Sequence, residues 1–181
     1  MSSQKGNFDM AIIEAIKKRY SCRDYIDKPI EQEKLDEIFE AARLAPSAKN
    51  LQDWRFVVVT DKNIKSQIAA STNRPEVFEK AAVIIAACSV SDYVMTCGQA
   101  ISPIDIAIAL EHIALQAAHL DLASCWIGSF KPDVVRKAVS IPQDVNIIEL
   151  MAVGYPADKQ MNPPRELVKN IFNINKWEFK K

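Results

Sequence analysis

The sequence has few glycines, and none is spaced for a phosphate-binding loop. Only four occur in 181 residues, at positions 6, 98, 128 and 154. A dinucleotide fold needs GxGxxG and a P-loop needs GxxxxGK[ST], because both hold phosphate with backbone N–H groups. Neither pattern can be built from these positions. A Rossmann or P-loop site is therefore excluded, and any nucleotide-like ligand must be held by side chains and scattered backbone amides.

The sequence also lacks an excess of charge of either sign. Lys and Arg number 23, Asp and Glu number 23, and the formal net charge is +0. The broad positive field that attracts nucleic-acid phosphates is therefore missing. We expect no nucleic-acid partner, although a local basic pocket is compatible with this balance.

No long hydrophobic run occurs. The apolar stretches Ala81 to Val90 and Ile106 to Leu110 are far shorter than the roughly 18 residues that span a bilayer. The N-terminus, Met1 to Gly6, leads into an amphipathic segment rather than an apolar stretch with a cleavage site. We therefore expect no membrane span, no secretory signal and a cytoplasmic protein.

Cysteine and histidine are too scattered for a metal site. No CxxC pair occurs among the four cysteines, which are Cys22, Cys88, Cys97 and Cys125. Cys88 and Cys125 lie in apolar strand-like runs and are interpreted as small core residues, whereas the role of Cys97 stays open. His112 and His119 lie about 10.5 Å apart along a helix axis, too far to share one ion. We expect no metal, and interpret both histidines as core or interface residues.

The length of the chain fits one domain. The sequence is 49% hydrophobic and 25% charged over 181 residues, which is typical of a globular protein. Since a domain averages about 150 residues, we predict a single domain over residues 1–181, with residues 165–181 as a trailing arm.

Hydrophobic periodicity predicts helices and strands in alternation. The predicted helices are 7–20, 31–44, 105–120 and 132–139, and one more is capped by Asp61. The predicted strands are 56–60, 82–89, 124–127 and 147–153, with a turn at 154–156. We therefore expect a sheet of about four strands. The helix at 105–120 is apolar almost all the way round, which predicts burial on every side, in a core or against a second subunit.

Two guanidiniums and a hydroxyl lie close together where the first helix ends, in the segment Arg19-Tyr20-Ser21-Cys22-Arg23. Arginine presents a planar fork of donors that suits phosphate, and serine adds one more donor. The alternative is an ordinary helix end, where cations interact favourably with the helix dipole. These residues alone leave both interpretations open.

A polar loop, Ala45 to Trp54, connects the second helix to a buried strand. Its Asn50 and Gln52 side chains offer both donors and acceptors, as the edge of a heterocycle requires. The alternative is a turn in which Ser47 and Asn50 bond their own backbone.

Together the two segments resemble the FMN-dependent nitroreductase family. Its members carry an R-x-S-x-R-like motif after the first helix and an A-P-S-x-x-N-x-Q-x-W-like loop after the second, matched by Arg19 to Arg23 and Ala45 to Trp54. A strand resembling S-C-W-I-G at 120–128 and the segment Met151 to Pro156 follow in the family's order, and Arg165 stands where a basic residue meets the phosphate. The resemblance covers nearly the whole chain.

The resemblance implies an α+β fold with a central, mostly antiparallel sheet flanked by helices. It also implies an intertwined homodimer in which the C-terminal arm, 165–181, is exchanged and FMN contacts both chains. Wrapping around a partner fits the apolar arm residues Ile171 to Phe179, because exposing them would leave a sticky patch. Where the family often has glycines this chain has Asp121 and Ala123, and it has Asp53 in place of a proline. We expect these departures to leave flavin binding intact.

The resemblance further implies which residues hold the cofactor. The arginines and serine of the first motif, with Arg165, would face the phosphate and ribityl chain, and Arg23 would reach towards the pyrimidine edge. Ser47 and Asn50 would contact the ring from the partner chain, while Ile127 and Gly128 would offer backbone, Gly128 because a missing Cβ allows close approach. The full cofactor-binding set is Arg19, Tyr20, Ser21, Arg23, Pro46, Ser47, Asn50, Gln52, Ile127, Gly128 and Arg165.

The implied activity is electron transfer from NADH or NADPH through FMN to a nitroaromatic, a quinone or a related acceptor. No side chain is assigned a catalytic role, because the cofactor carries the chemistry, and we expect ping-pong kinetics. The alternative is a protein that stores or senses flavin without turnover, with Cys97 as a redox-reactive thiol. The sequence leaves open the choice of nicotinamide, the acceptor, the reaction variant, whether dehalogenation or dehydrogenation, and the role of the variable segment Tyr93 to Ser102.

Overall fold

The structure, a computed structural model, describes residues 12–161 and 163–179. Its helices are α1 (Glu14–Lys18), α2 (Gln32–Arg43), α3 (Lys62–Ala69), α4 (Pro75–Glu79), α5 (Ile101–His119), α6 (Pro132–Ala138) and α7 (Val168–Ile171). Its strands are β1 (Tyr25–Ile26), β2 (Trp54–Val59), β3 (Val83–Ser89), β4 (Ala123–Ile127) and β5 (Asn146–Pro156). The predicted strands and the predicted helices after residue 30 are confirmed. The part of the first predicted helix before residue 12 lies outside the described residues.

The strands form one five-stranded sheet with the order β1-β5-β3-β2, and β4 also pairs with β5. Every pair of strands runs antiparallel. The predicted α+β class with a mostly antiparallel sheet is therefore confirmed. The predicted number of strands, about four, is wrong because β1 was not recognised, and its 2 residues are too few to show a periodic pattern.

The predicted turn at 154–156 is wrong, because these residues are the last part of β5. Tyr155 pairs with Ile26 and Pro156 pairs with Tyr25. A proline is compatible with this position because it stands at the end of the strand, where the missing N–H costs no internal ladder bond. Gly154 is required by packing, since an added Cβ would lie 2.9 Å from the Tyr25 ring and 3.0 Å from the Ala82 nitrogen.

Each face of the sheet packs against its own layer of helices. On one face α2 and α5 supply buried residues such as Ile38 and Leu110. On the other face α3, α4 and α6 supply residues such as Ile68 and Phe78. Burying each of these large side chains stabilises the fold by about 1.5–3 kcal/mol. Strand β3 lies between the two layers and is buried along its whole length, as its continuous apolar run predicts.

Helix α5 is buried on one side only within the chain. Ile106, Leu110 and Ile113 are at most 1% exposed, whereas Ile104 on the opposite stripe is 41% exposed. The prediction of burial on every side is therefore not met by this chain alone. By length and composition α5 could cross a bilayer, but 56% of its apolar 18-residue stretch is buried inside the protein.

The C-terminal arm stays largely exposed on its own chain. Phe172, Ile174 and Trp177 are 68%, 84% and 73% exposed. The Trp177 and Phe179 rings stack edge to face at 4.9 Å, so these two rings contact each other and Trp177 projects from the surface. An apolar arm in this state offers area for another surface to cover.

Candidate functional site

A groove lined by cations begins where α1 ends. The helix stops just before Arg19, whose backbone is extended (φ −62°, ψ 129°). Ser21 then forms an isolated parallel bridge with Ser124 of β4, and the Cys22 N–H donates to the Ser124 carbonyl at 3.0 Å. The segment is thereby fixed alongside β4, and forms the first wall of the groove.

The second wall is the segment that follows β5. The space between the walls has a volume of about 610 Å³ and is lined by Arg19, Tyr20, Ser21, Arg23, Met161, Pro163 and Arg165. Arg165 is remote in sequence from the other two arginines, yet the fold brings all three guanidiniums to one groove. We call this space the cationic groove.

The cationic groove carries an excess of positive charge. Arg19 Nε lies 3.8 Å from Glu111 Oε1 on α5. Within residues 12–161 and 163–179, the guanidiniums of Arg23 and Arg165 have no ion pair. Because guanidiniums bind anions that have several acceptor oxygens, phosphate suits this set of donors.

A second cavity of about 370 Å³ continues from the cationic groove. It is lined by Ser21, Arg23, Asn73, Arg74, Val77, Cys125, Trp126, Ile127, Gly128 and Ser129. Ser21 and Arg23 line both spaces, so the two spaces adjoin. The predicted backbone contributors Ile127 and Gly128 are thus brought beside the predicted arginines, at the end of β4. We call this space the strand-end cavity.

Asn73 and Arg74 are functional candidates that the sequence reasoning missed. Both line the strand-end cavity, and Asn73 Nδ2 donates to Ser129 Oγ at 2.7 Å. A backbone bond also joins the segments that contain Asn73 and Ser129, because the Lys131 N–H donates to the Ser71 carbonyl at 3.0 Å. The only signal available in the sequence is a polar Asn-Arg-Pro run before a short helix, which is also typical of an ordinary turn.

Asp158 is a third residue that sequence reasoning missed. Its Oδ1 accepts from the Tyr20 hydroxyl at 2.8 Å and from the Cys22 thiol at 3.1 Å. Its Oδ2 accepts from the Arg23 backbone N–H at 3.0 Å. One carboxylate on the second wall therefore accepts hydrogen bonds from three donors of the first wall, all within residues 20–23. A lone aspartate after a predicted turn gave no sign of these contacts.

The Asp158 contacts change the acidity of the groups involved. Partial burial opposes ionisation of Asp158, but the donors of Arg23, Cys22 and Tyr20 outweigh it and lower its pKa below the usual value. The pKa of the Cys22 thiol is raised to about 12, mainly by burial and secondly by the hydrogen bond to Asp158. The pKa of Tyr20 is raised well above its usual value by the same two causes. At neutral pH a charged carboxylate thus faces a neutral thiol and a neutral phenol.

The predicted residues of the 45–54 loop lie in a different place. Pro46 and Ser47 line a separate cavity of about 230 Å³ together with Ala48, Met95, Ile104, Asp105 and Ile108. The residues that line this cavity are all different from those that line the cationic groove. Within one chain, therefore, the structure does not bring Pro46 and Ser47 to the arginines, and Asn50 and Gln52 line neither space.

Internal hydrogen bonds and left-handed backbone fix the shape of this loop. The Ala48 N–H donates to both oxygens of buried Asp105, at 3.2 and 3.1 Å. Ser47 Oγ accepts from the Gln52 N–H at 3.0 Å, as the turn alternative predicts. Asn50 and Gln52 have φ values of 56° and 53°, a region that non-glycine residues occupy at a cost. Strained residues of this kind concentrate at ligand sites.

The small size of Gly128 is not required by packing within the chain. An added Cβ would lie 3.4 Å from Glu149 Oε2, an ordinary contact. Burial raises the pKa of Glu149, against the opposing effect of the Leu150 and Ile127 amides. Any need for glycine at position 128 must therefore come from a ligand or another chain, which keeps the predicted reason open to test.

Three of the four cysteines are buried, and His112 has a hydrogen-bond partner inside the fold. Cys88 and Cys125 are buried, as predicted, and Cys97 is exposed. His112 Nδ1 lies 3.1 Å from the Ala41 carbonyl oxygen, in agreement with a satisfied histidine between helices. Among the residues that the structure describes, no group of three or more His, Cys, Asp or Glu side chains could hold a metal ion.

Comparison with known proteins gives a consistent result. The family model for the nitroreductase family matches residues 16–74 and 65–155. The sequence is 30% identical over 162 residues to an Archaeoglobus fulgidus protein with the provisional name NADH dehydrogenase/NAD(P)H nitroreductase, covering 81% of this chain and 91% of that protein.

Solved structures agree with this match. A nitroreductase family protein from Clostridium difficile 630 superposes with a TM-score of 0.82 at 31% identity, covering 93% of this chain and 100% of that chain. An FMN-dependent nitroreductase from Clostridium difficile R20291 superposes with a TM-score of 0.76 at 28% identity, covering 92% of this chain and 100% of that one. The chain therefore belongs to the nitroreductase family.

Proposed function

We propose that this oxidoreductase of the nitroreductase family binds FMN in the cationic groove and the adjoining strand-end cavity, and transfers electrons from NADH or NADPH to a small organic acceptor. The observation that carries the proposal is the continuity of the two spaces through Ser21 and Arg23. One end offers guanidiniums and the other offers backbone and amide groups. A ligand with a phosphate at one end and a flat heterocycle at the other fits this arrangement.

The phosphate end fits the donors that are present. Arg19 and Arg165 line only the cationic groove, whereas Ser21 lines both spaces. Three guanidiniums supply more donors than one phosphate needs, so one of them, Arg23, is available to the ligand's middle part. The remote position of Arg165 means that phosphate binding would also fix the segment after β5.

The heterocycle end fits as well. Asn73 and Arg74 bring an amide and a guanidinium to the strand-end cavity, where Ile127 and Gly128 present backbone. These groups match the donors and acceptors along a pyrimidine edge. Bound FMN would supply two-electron chemistry by accepting and donating hydride. Arg23 and Arg74 would stabilise negative charge that develops on the ring in the reduced state.

We propose a homodimer in which the exposed stripe of α5 and the C-terminal arm are covered by the partner. An open groove of about 840 Å³ lies between α1, α2 and α5, lined by residues that include Ile13, His112 and Leu115. The 45–54 loop shares its cavity with Ile104 and Ile108 of the same stripe. A dimer built on this stripe would therefore place Ser47 and Asn50 of one chain near the groove of the other.

The arm, 165–181, would be exchanged between subunits, since Phe172, Ile174 and Trp177 are mostly exposed on their own chain. In this proposal the chain is one FMN-binding domain, 1–181, of a cytoplasmic enzyme. Donor and acceptor would use the same open face in turn, which gives ping-pong kinetics. The acceptors we propose are nitroaromatics, quinones or related compounds.

The first test is a visible spectrum of the purified protein, followed by anaerobic addition of NADH and of NADPH. We expect a yellow protein whose flavin absorbance is bleached by at least one nicotinamide. A matched pair, Arg165→Ala and Lys159→Ala, removes a cation from the groove and a cation outside its lining. Only Arg165→Ala should lose flavin. Bound flavin that neither nicotinamide bleaches would instead favour storage or sensing of flavin.

A further inference from the structure

We propose that Asp158 is a positioning residue that locks the two walls of the cationic groove together and thereby sets the affinity for the ligand's phosphate. This inference rests on the proposed function, because it assigns phosphate to the cationic groove. Asp158 itself is absent from the residues that line the groove. Its role would be exerted through the residues it holds.

The contacts show why a single carboxylate can join the walls. Asp158 lies in the segment that leads from β5 to Met161 and Arg165, and its three donors all lie in the opposite wall. The bond to the Arg23 N–H fixes backbone, and the bond to Tyr20 fixes a side chain that lines the groove. Because hydrogen bonds to a charged acceptor are the strong ones, these three outweigh an equal number of neutral bonds.

Other bonds between the walls fix different atoms, and one of them joins the Tyr20 hydroxyl to the main-chain carbonyl of Asp158 at 3.3 Å. The Ala157 N–H donates to the Asp24 carbonyl at 2.9 Å, and Gln160 Nε2 donates to the Lys17 carbonyl at 2.9 Å. These two bonds join the ends of the two segments. The Asp158 contacts are the ones that lie directly behind the first motif, between Tyr20 and Arg23.

An acid beside an anion site invites a competing explanation. Asp158 could merely offset the positive charge of the arginines, in which case removing its charge would strengthen anion binding. The locking role predicts the opposite sign, because the walls would separate and the arginines would lose their fixed geometry. The carboxylate accepts hydrogen bonds from the Tyr20 hydroxyl, the Cys22 thiol and the Arg23 backbone N–H rather than from the guanidiniums. This arrangement favours the locking role.

The variant Asp158→Asn distinguishes these two explanations. Asparagine keeps the shape but offers an acceptor on one side only, so either the Tyr20 and Cys22 pair or the Arg23 N–H loses its side-chain acceptor. Tyr20 and Cys22 would then retain only their contacts with the Asp158 and Asp24 carbonyls. The matched control is Asp121→Asn, which removes the same charge from an exposed acid that lies 3.3 Å from the Lys18 ammonium. Dissociation constants for FMN and for riboflavin, which lacks the phosphate, are measured for the wild type and both variants.

We expect Asp158→Asn to weaken FMN binding about tenfold or more, with riboflavin binding changed less than about twofold. Asp121→Asn should change neither. Tighter FMN binding in Asp158→Asn would overturn the proposal in favour of charge offset, and an equal loss for both ligands would overturn it in favour of a general folding role. Should Asp158→Asn fail to fold, Cys22→Ala removes one donor behind the groove and should weaken FMN alone, about threefold; no change or loss of both ligands contradicts the proposal.

A measurement without flavin separates this claim from the proposed function. Hydrogen exchange of the ligand-free protein reports whether the Arg23 amide, bonded to Asp158 at 3.0 Å, is protected. We expect faster exchange around Arg23 in Asp158→Asn and unchanged exchange in Asp121→Asn. A wild type that binds neither FMN nor riboflavin would overturn the proposed function, while the exchange result would still decide whether Asp158 joins the walls. Unchanged exchange in both variants would overturn the proposal.

Discussion

The cationic groove and the 45–54 loop differ in how far one chain completes them. The groove has both walls in the same chain, and its arginines face one space of about 610 Å³. The loop is equally well fixed, by Asp105 and by Ser47, yet its side chains meet no groove arginine. In the dimer that we propose, this loop lies beside the uncovered stripe of α5 and its half of the site acts on another copy of the chain.

The largest effect is expected from removing the arm while keeping Arg165. A chain ending at Leu167 loses the exposed apolar residues Ile171, Phe172, Ile174 and Trp177 but retains the cation that faces the groove. We expect loss of the dimer and of bound flavin together, because covering apolar area is what holds such subunits together. Sedimentation and flavin content measure the two effects. A dimer of unchanged flavin content would show that the arm has no part in either.

The next effect is the loss of one arginine from the groove. Arg165→Ala should weaken FMN by about 1.5–3 kcal/mol, the scale of a hydrogen bond to a charged group. Arg19→Ala should cost less, because Arg19 is already shared with Glu111 at 3.8 Å. Titration calorimetry with Lys159→Ala as control measures both. Full flavin occupancy on dilution of both arginine variants would refute the phosphate assignment.

Mixing two defective variants tests the loop directly. Asn50→Ala should release flavin as Arg165→Ala does, although Asn50 does not line the groove of its own chain. If the loop acts on the partner, a mixed dimer regains one intact site from the two variants, and flavin content rises on mixing and exchange. A mixture that stays as empty as its components would place the loop and the groove in the same chain's site.

A smaller effect concerns pH. The folded pKa of Cys22 is about 12 against 9.0 for a free thiol, so its stabilisation is fully present below pH 9.0 and is lost as pH rises through the folded value. We expect the wild type to lose stability above pH 9.0 more steeply than Cys22→Ala in denaturant titrations. The thiol should also react slowly at pH 8, unlike exposed Cys97. Equal pH profiles for the two proteins would contradict this assignment.

The smallest effect on flavin is expected in the segment Tyr93 to Ser102. Lys49 Nζ lies 4.5 Å from the centre of the Tyr93 ring, and Met95 lines the cavity beside the 45–54 loop. Substitutions at Tyr93 and Met95 should therefore change the preference between nitroaromatic and quinone acceptors while flavin content stays the same. Steady-state kcat/KM for both acceptors is the measurement. Loss of flavin in these variants would move the segment into the cofactor site.

Much of the fold was predictable because the burial of each element leaves a pattern in the sequence. β3 lies between two helix layers and is buried along its whole length, so its unbroken apolar run predicts a buried strand. Asp61 caps α3 by accepting from the Asn63 and Ile64 amides, as predicted. β1 and the end of β5 were not predictable, because they exist through pairing of Tyr25 and Ile26 with residues far along the chain, which local periodicity does not encode.

The site was predictable only in part, for a related reason. The resemblance supplied Arg19, Ser21 and Arg23, because they form a short motif. Arg74 and Asp158 are brought to the candidate site by contacts made across the fold and have no motif around them. In the proposed dimer the 45–54 loop contributes to the site of the other chain, an arrangement that neither a local sequence pattern nor a single chain contains.

The most direct test of the central claim is a double-mixing stopped-flow experiment under anaerobic conditions. The flavin-loaded protein is first reduced with NADPH or NADH, the nicotinamide is removed, and a quinone or nitroaromatic is then added. If donor and acceptor use one flavin face in turn, the absorbance is bleached in the first step and recovers completely in the second without nicotinamide, and double-reciprocal plots give parallel lines. Recovery that requires bound nicotinamide, with intersecting lines, would contradict the use of one face in turn.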